Sequence, residues 1–270
     1  MSAAGAASTI DLATGHFVSL LQRNTGDLIA GLHVIGSISD GDFRPGKSDL
    51  DFVAVLSRPP SDEDAEALVL VHRSYRTDPT LPSLDGICLT AAELGAGPDA
   101  IGDGPTSQQG DFVILARGNR NPVTWHSLPK AVTLIGKLDR QALWHDRERL
   151  VSWVGDNAAT YWRHWLTRAS GVSPAMLGRA LPMWGVLGIS RLAYTKATGE
   201  IASKSAAGEW ALSAFDPRWR PIIAEAVAHR RGERSKYANP FARRRDALAF
   251  VEMAIREVVG GEEREGGREP

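Results

Sequence analysis

His33-Val34-Ile35-Gly36-Ser37, a loop, and then Ser48-Asp49-Leu50-Asp51-Phe52 form the stretch that decides the fold. Leu32 to Ile35 is short, apolar and β-branched, and reads as a strand that delivers Gly36 and Ser37 into a loop rich in Gly, Asp and Pro. Leu50 to Leu56 reads as a second buried strand, closed by Pro59-Pro60. Asp49 and Asp51 lie two apart on an extended chain, so both carboxylates project from one face of the sheet. Hard oxygens on one face suit Mg²⁺, which keeps waters and takes its remaining ligands from substrate phosphates. Gly36 lets the backbone approach a phosphate, Ser37 supplies a hydroxyl and a backbone N–H, and Ser48 adds another donor.

Working outward, Ile10 to Gln22 carries Ile10, Ala13, Phe17, Leu20 and Leu21 at helical spacing and ends before a turn at Gly26. Ser61 with Asp64 predicts a capping box for a helix through Arg73. Leu84 to Leu89 and Phe112 to Ala116 are further strand candidates, and the Gly- and Pro-rich stretch from Leu94 to Gln109 reads as a surface loop. Beyond Leu138 the β-branched runs give way to helical periods. Leu150, Val154, Ala158, Tyr161 and Trp165 define one stripe, and helices are expected at 176–198, 204–215, 217–230 and 241–259. The expected architecture is α+β: a domain at 1–138 with a mixed β-sheet flanked by helices, an all-helical bundle at 139–260, and a flexible tail at 261–270.

Asp85 is the third carboxylate. It opens the strand Leu84 to Leu89, where a central position would otherwise be apolar, and a neighbouring strand would set it beside Asp49 and Asp51. Next to two bound Mg²⁺ ions it could share in ligating metal and accept the proton of an alcohol attacking the α-phosphorus of ATP. Each element has a plainer reading: Gly-Ser as a turn, Asp-x-Asp as a solvated loop, Asp85 as a turn residue before Gly86. The combination is far more specific than its parts.

The bulk of the chain sets bounds on partners. Its 270 residues carry 31 Lys plus Arg against 32 Asp plus Glu, so no global field points to nucleic acid or an anionic membrane. The single cysteine, Cys88, excludes an internal disulfide framework and suits a reducing cytoplasm, the expected location. Met1 to Thr9 does not read as a signal peptide, and no apolar run approaches a membrane span. Trp144, Trp153, Trp162 and Trp165 read as packing residues rather than a stacking platform. His126, His145, His164 and His229 lack metal-ligand spacing, and Arg243-Arg244-Arg245 reads as a solvated helical face.

The segment from His33 to Phe52 resembles the nucleotidyltransferase superfamily, and the chain is similar to its streptomycin and spectinomycin adenylyltransferase branch. The narrower likeness rests on Leu187-Gly188-Ile189-Ser190-Arg191-Leu192-Ala193-Tyr194, Thr198-Gly199-Glu200-Ile201-Ala202-Ser203-Lys204 and Glu209-Trp210-Ala211-Leu212. The resemblance implies Mg²⁺-dependent transfer of AMP from ATP to a hydroxyl of a small antibiotic-like acceptor, with both substrates in a cleft between the domains. It makes Gly36, Ser37 and Ser48 the phosphate loop, Asp49 and Asp51 metal ligands, Asp85 the base, and Arg191 and Lys204 phosphate contacts. Arg191 lies in an otherwise apolar helix, and Lys204 at a helix start, where a cation opposes the helix dipole; both placements favour an anionic partner. The chain departs from the family in four ways: a loop one residue longer, Asp85 in place of Glu, Arg230 in place of an aromatic, and no Trp and Asp in Gly171–Leu177 to hold streptomycin. A protein-AMPylating antitoxin and a non-catalytic binding relative are the competing functions. The oligomeric state is not encoded in any recognisable pattern.

Overall fold

The computed structural model describes residues 3–171 and 174–260, so the tail expected at 261–270 lies outside the described residues. The chain divides into two compact units, Met1–Asp146 and Arg147–Pro270.

In the first unit, α1 (Ala3–Asn24) precedes β1 (Ile29–Ile35) and β2 (Leu50–Leu56), and α2 (Asp62–Tyr75) leads to β3 (Leu84–Thr90). Then come α3 (Ala91–Ala96), β4 (Gly104–Gln108), β5 (Asp111–Ala116), α4 (Pro122–Ser127) and β6 (Val132–Ile135). The sheet order is β5-β4-β3-β2-β1-β6. Only β2 and β3 run parallel, and α2 supplies the crossover that a parallel pair needs. The Ser61 capping box forms as expected: the Ser61 hydroxyl accepts from the Asp64 N–H, and the Asp64 carboxylate accepts from the Ser61 N–H.

Period-two alternation sorts the strands between two cores. Leu32 and Val34 of β1 and Leu50, Phe52, Ala54 and Leu56 of β2 pack under Phe17 and Leu21 of α1 and Leu68 and Val71 of α2. Ile35, Val53, Val55, Ile87 and Leu89 face the other way, toward Leu94, Trp125 and Leu128. Leu138, Leu143 and Trp144 also pack against this second core, so the first unit continues past Leu138 to Asp146.

The stretch Leu94 to Gln109 is not simply a surface loop. Its last residues form β4, paired to β3 and joined to β5 by a tight turn at Gln109 (φ 51°) and Gly110 (φ 81°). Two successive positive φ values match the twist a hairpin requires. Gly-Pro-Thr-Ser-Gln lacks the apolar alternation that marks a strand, so its neighbours rather than its pattern make it one.

The second unit comprises α5 (Arg147–Asn157), α6 (Arg163–Ser170), α7 (Ala180–Thr198), α8 (Lys204–Ala214), α9 (Arg220–Arg231) and α10 (Pro240–Gly260). Helix α7 is buried along most of its length, with Val186, Leu187, Ile189 and Ser190 inside. A π turn at Ala158–Trp162 joins α5 to α6 and changes the expected stripe. Leu150, Val154 and Ala158 are buried, but the extra residue in the turn swings Trp162 inward at 4% exposure and leaves Tyr161 half exposed at 50%. Trp162 and Trp165 lie over Gly188 and Gly185 of α7, where an added Cβ would fall on their rings. The Arg243-Arg244-Arg245 run is not a solvated face: Arg243 is buried and donates to the Leu177 carbonyl at 2.7 Å, and Arg244 donates to the carbonyls of Ala169, Ser170 and Gly171.

Candidate active site

The site grows from one row across the sheet. Ile35 pairs with Asp51 in the β1–β2 register, and Asp51 pairs with Asp85 in the β2–β3 register. Paired residues in a ladder point to the same face, so the two carboxylates are neighbours on the face that carries Val53 and Ile87 farther along. Asp49 stands one residue before β2 and is exposed, while Asp51 and Asp85 are half-buried.

Beyond Ile35 the chain turns sharply. Gly36 has φ +66°, and a Cβ there would fall on the Asp51 carboxylate, so only glycine lets the turn lie against that side chain. The Asp40 N–H and the Ser39 hydroxyl donate to the Gly36 carbonyl at 2.9 and 3.0 Å, and the Asp42 N–H donates to the Ser37 carbonyl at 2.8 Å. The Ser37 hydroxyl is buried and has no hydrogen-bond partner among the described residues. A buried hydroxyl without a partner is costly, and an anionic ligand would relieve that cost. Ser48, also buried, accepts from the Arg44 N–H at 3.0 Å, which closes the loop before Asp49.

Asp85 has its carboxyl pushed up to about 6, chiefly by burial and then by the charge of Asp49. Donation from the Gln109 N–H and the Asn119 side-chain amide works in the opposite direction. The Asn119 Nδ2 lies 2.8 Å from Asp85 Oδ1. Sequence reasoning missed Asn119 and Gln109, because each sits in a polar turn with no periodicity, and only the β4–β5 hairpin brings them beside β3.

Among the described residues no three His, Cys, Asp or Glu side chains enclose a metal ion unaided. The donor set nonetheless fits Mg²⁺: carboxylates gathered closely enough for Asp49 to raise Asp85, beside an unpartnered hydroxyl, suit a cation that shares its ligands with phosphate.

Arg191 and Lys204 belong to the second unit. Arg191 Nε donates to the Ala202 carbonyl at 3.1 Å, which steadies the connection between α7 and α8. Lys204 is the first residue of α8, whose cap is Ser203, accepting from the Ala206 N–H at 3.2 Å. Arg230 is buried, at 7% exposure.

A mixed sheet presents Gly36-Ser37 and neighbouring carboxylates, and a helical unit follows it. Comparison with known proteins shows what this arrangement is similar to. Residues 157–257 match the family model of the aminoglycoside adenylyltransferase C-terminal domain. Aminoglycoside (3'') (9) adenylyltransferases of Klebsiella pneumoniae and Shigella flexneri are each 32% identical over 75 residues, 28% of this chain. The match spans 29% of the length of those curated relatives. The crystal structure of a spectinomycin adenyltransferase from Enterococcus faecialis, with ATP and spectinomycin, shares the fold at TM-score 0.65 and 16% identity, covering 92% of this chain and 98% of that one. The chain is aminoglycoside adenylyltransferase-like in fold and in its C-terminal domain.

Proposed function

We propose that the protein transfers AMP from ATP to a hydroxyl of an aminoglycoside, an aminocyclitol or a related small molecule, releasing pyrophosphate. The reading is carried by the row Ile35–Asp51–Asp85, with Gly36 against Asp51. The acceptor oxygen attacks the α-phosphorus, forming a new P–O bond as the bond from the α-phosphorus to the pyrophosphate oxygen breaks. The acceptor's proton passes to Asp85, and the electron pair of the broken bond leaves with pyrophosphate. Asp49, Asp51 and Asp85 would hold Mg²⁺, which supplies Lewis-acid neutralisation of phosphate charge. Ser37, with its unpartnered hydroxyl, binds the triphosphate together with Gly36 and Ser48, and Arg191 and Lys204 are proposed as further phosphate contacts. Location in the cytoplasm accords with ATP as co-substrate; among the described residues no helix is long and apolar enough to cross a membrane.

The match over residues 157–257 supports a small-molecule acceptor over a protein one. The test is pyrophosphate release from Mg²⁺-ATP across a panel of aminocyclitols and aminoglycosides, with mass spectrometry of the products. An acceptor gaining AMP supports the proposal, and spectinomycin is the first candidate because the structural neighbour binds it. No modified acceptor in the panel would overturn it.

A further inference from the structure

We propose that Asn119 is a positioning residue that fixes the orientation of the Asp85 carboxylate for catalysis; the inference rests on the adenylyltransferase reading. Asn119 Nδ2 donates to Asp85 Oδ1 at 2.8 Å, and an ionised carboxylate can only accept, so the amide is oriented by its partner. With Oδ1 held by Asn119 and the Gln109 N–H also donating to the carboxylate, the group is kept in one orientation relative to the site. A carboxylate on a short Asp side chain otherwise rotates about its terminal bond, a broad and soft torsion.

The turn that carries Asn119 is anchored on every side. The Asn119 carbonyl accepts from the Thr124 hydroxyl at 2.6 Å and from the Asn121 N–H at 2.9 Å. Asn121 caps α4, accepting from the Val123 and Thr124 N–H groups. Arg120, at 2% exposure, donates to the Thr106 hydroxyl and to the carbonyls of Cys88, Pro105 and Ala116. Arg117 donates to the carbonyls of Ile101 and Pro98, each at 2.6 Å. Gly118, at φ +50°, lies where a Cβ would fall on Thr106. Burying a guanidinium is costly, and these bonds spend it on tying the turn to β3 and β4. A loop held this firmly can present one side chain within the narrow tolerance that proton transfer demands.

A purely structural role and a positioning role differ in what kinetics would show. With spectinomycin, or the panel member the wild type adenylylates fastest, Asn119→Ala is expected to lower kcat roughly 10- to 100-fold, the usual cost of losing an orienting partner. KM for ATP and the melting temperature should stay near wild type. Asn119→Asp, nearly isosteric, should lose more than Asn119→Ala, because a like charge then faces Asp85. In an Asp85→Asn background Asn119→Ala should add almost nothing, since the residue acts only through that carboxylate. Wild-type kcat in Asn119→Asp, or the same fold loss in both backgrounds, would overturn the inference. An active wild type with unaffected variants defeats this inference alone, whereas a wild type that modifies no acceptor defeats the functional reading and this inference with it.

Discussion

Asp51 and Asp85 stand opposite one another on the only parallel strand pair of the sheet, β2 and β3. The parallel register matters because it aligns two carboxylates that are far apart in sequence at the same end of adjacent strands. The charge of Asp49 raises the proton affinity of Asp85. Folding builds the repulsion, and binding of metal and nucleotide would relieve it.

Asp49→Ala and Asp51→Ala are expected to reduce AMP transfer to background with little loss of folding, since both groups are assigned to the metal rather than to the packed core. Asp85→Asn should keep ATP affinity and lose about 10²–10⁴ in turnover, the usual contribution of a general base. Pyrophosphate release, ATP calorimetry with Mg²⁺ and thermal melts check all three; full turnover by Asp85→Asn would move the base elsewhere.

Gly36 and Gly41 offer a matched pair. Both have positive φ, +66° and +67°, but a Cβ at Gly36 falls on the Asp51 carboxylate and one at Gly41 meets nothing within 4 Å. Alanine at either position should cost about 1–2 kcal/mol for the left-handed backbone. Only Gly36→Ala should also abolish AMP transfer. Equal activity losses in the two variants would show that backbone strain, rather than the approach to Asp51, is what matters.

Much of this was legible in the sequence because the informative groups are local. Gly36-Ser37 and Asp49-x-Asp51 each read directly from strand periodicity, and β2 forms over the residues expected, Leu50–Leu56. What the sequence hid depends on contacts between distant segments. β4 is a strand because β3 and β5 flank it, Asn119 reaches Asp85 only through the hairpin, and Trp162 replaces Tyr161 inside because a π turn adds a residue. The burial of Arg243 is invisible in the sequence because its partner, the Leu177 carbonyl, lies far away along the chain.

His72 should make the first unit acid-sensitive. Its ring is buried against Phe112, 4.1 Å between centroids, with Nδ1 donating to the Leu68 carbonyl at 2.8 Å and Nε2 unpartnered among the described residues. Burial lowers its pKa to about 4, although the Leu68 hydrogen bond works the other way. The unfolded chain thus binds this proton near pH 6.5 and the folded chain only near 4, so stability is full above 6.5 and falls as pH drops toward 4. The loss amounts to about 3 kcal/mol at most. Urea melts between pH 7 and 4 should show it, and His72→Leu should flatten the dependence in that window; an unchanged slope would assign it to other groups.

Glu225 carries the last prediction. The carboxylate is fully buried in α9, yet accepts from Arg179 Nε at 2.6 Å, the Ser235 hydroxyl at 2.7 Å and the Lys236 N–H at 2.7 Å. Burial alone would raise its pKa, but the three donors outweigh it and hold the group below its ordinary value. Its contribution to stability is therefore present above the unfolded carboxylate range and lost as pH falls through the folded pKa. Glu225→Leu should destabilise the protein by about 3–5 kcal/mol, because Arg179 is left without its counter-charge. Adding Arg179→Met should recover much of that loss, a coupling that a double-mutant cycle of denaturation midpoints measures. The same network has a kinetic consequence. Arg179 ends the segment running from Pro174 into α7, and Arg243 donates both to the Leu177 carbonyl in that segment and, at 3.5 Å, to Ser235. The sequence resemblance implies acceptor contacts just ahead of α7, and we propose that this segment borders the acceptor. Milder loosening by Ser235→Ala should then raise KM for the acceptor while KM for ATP stays constant. An ATP KM that rises in step would mean that the network supports the nucleotide site instead.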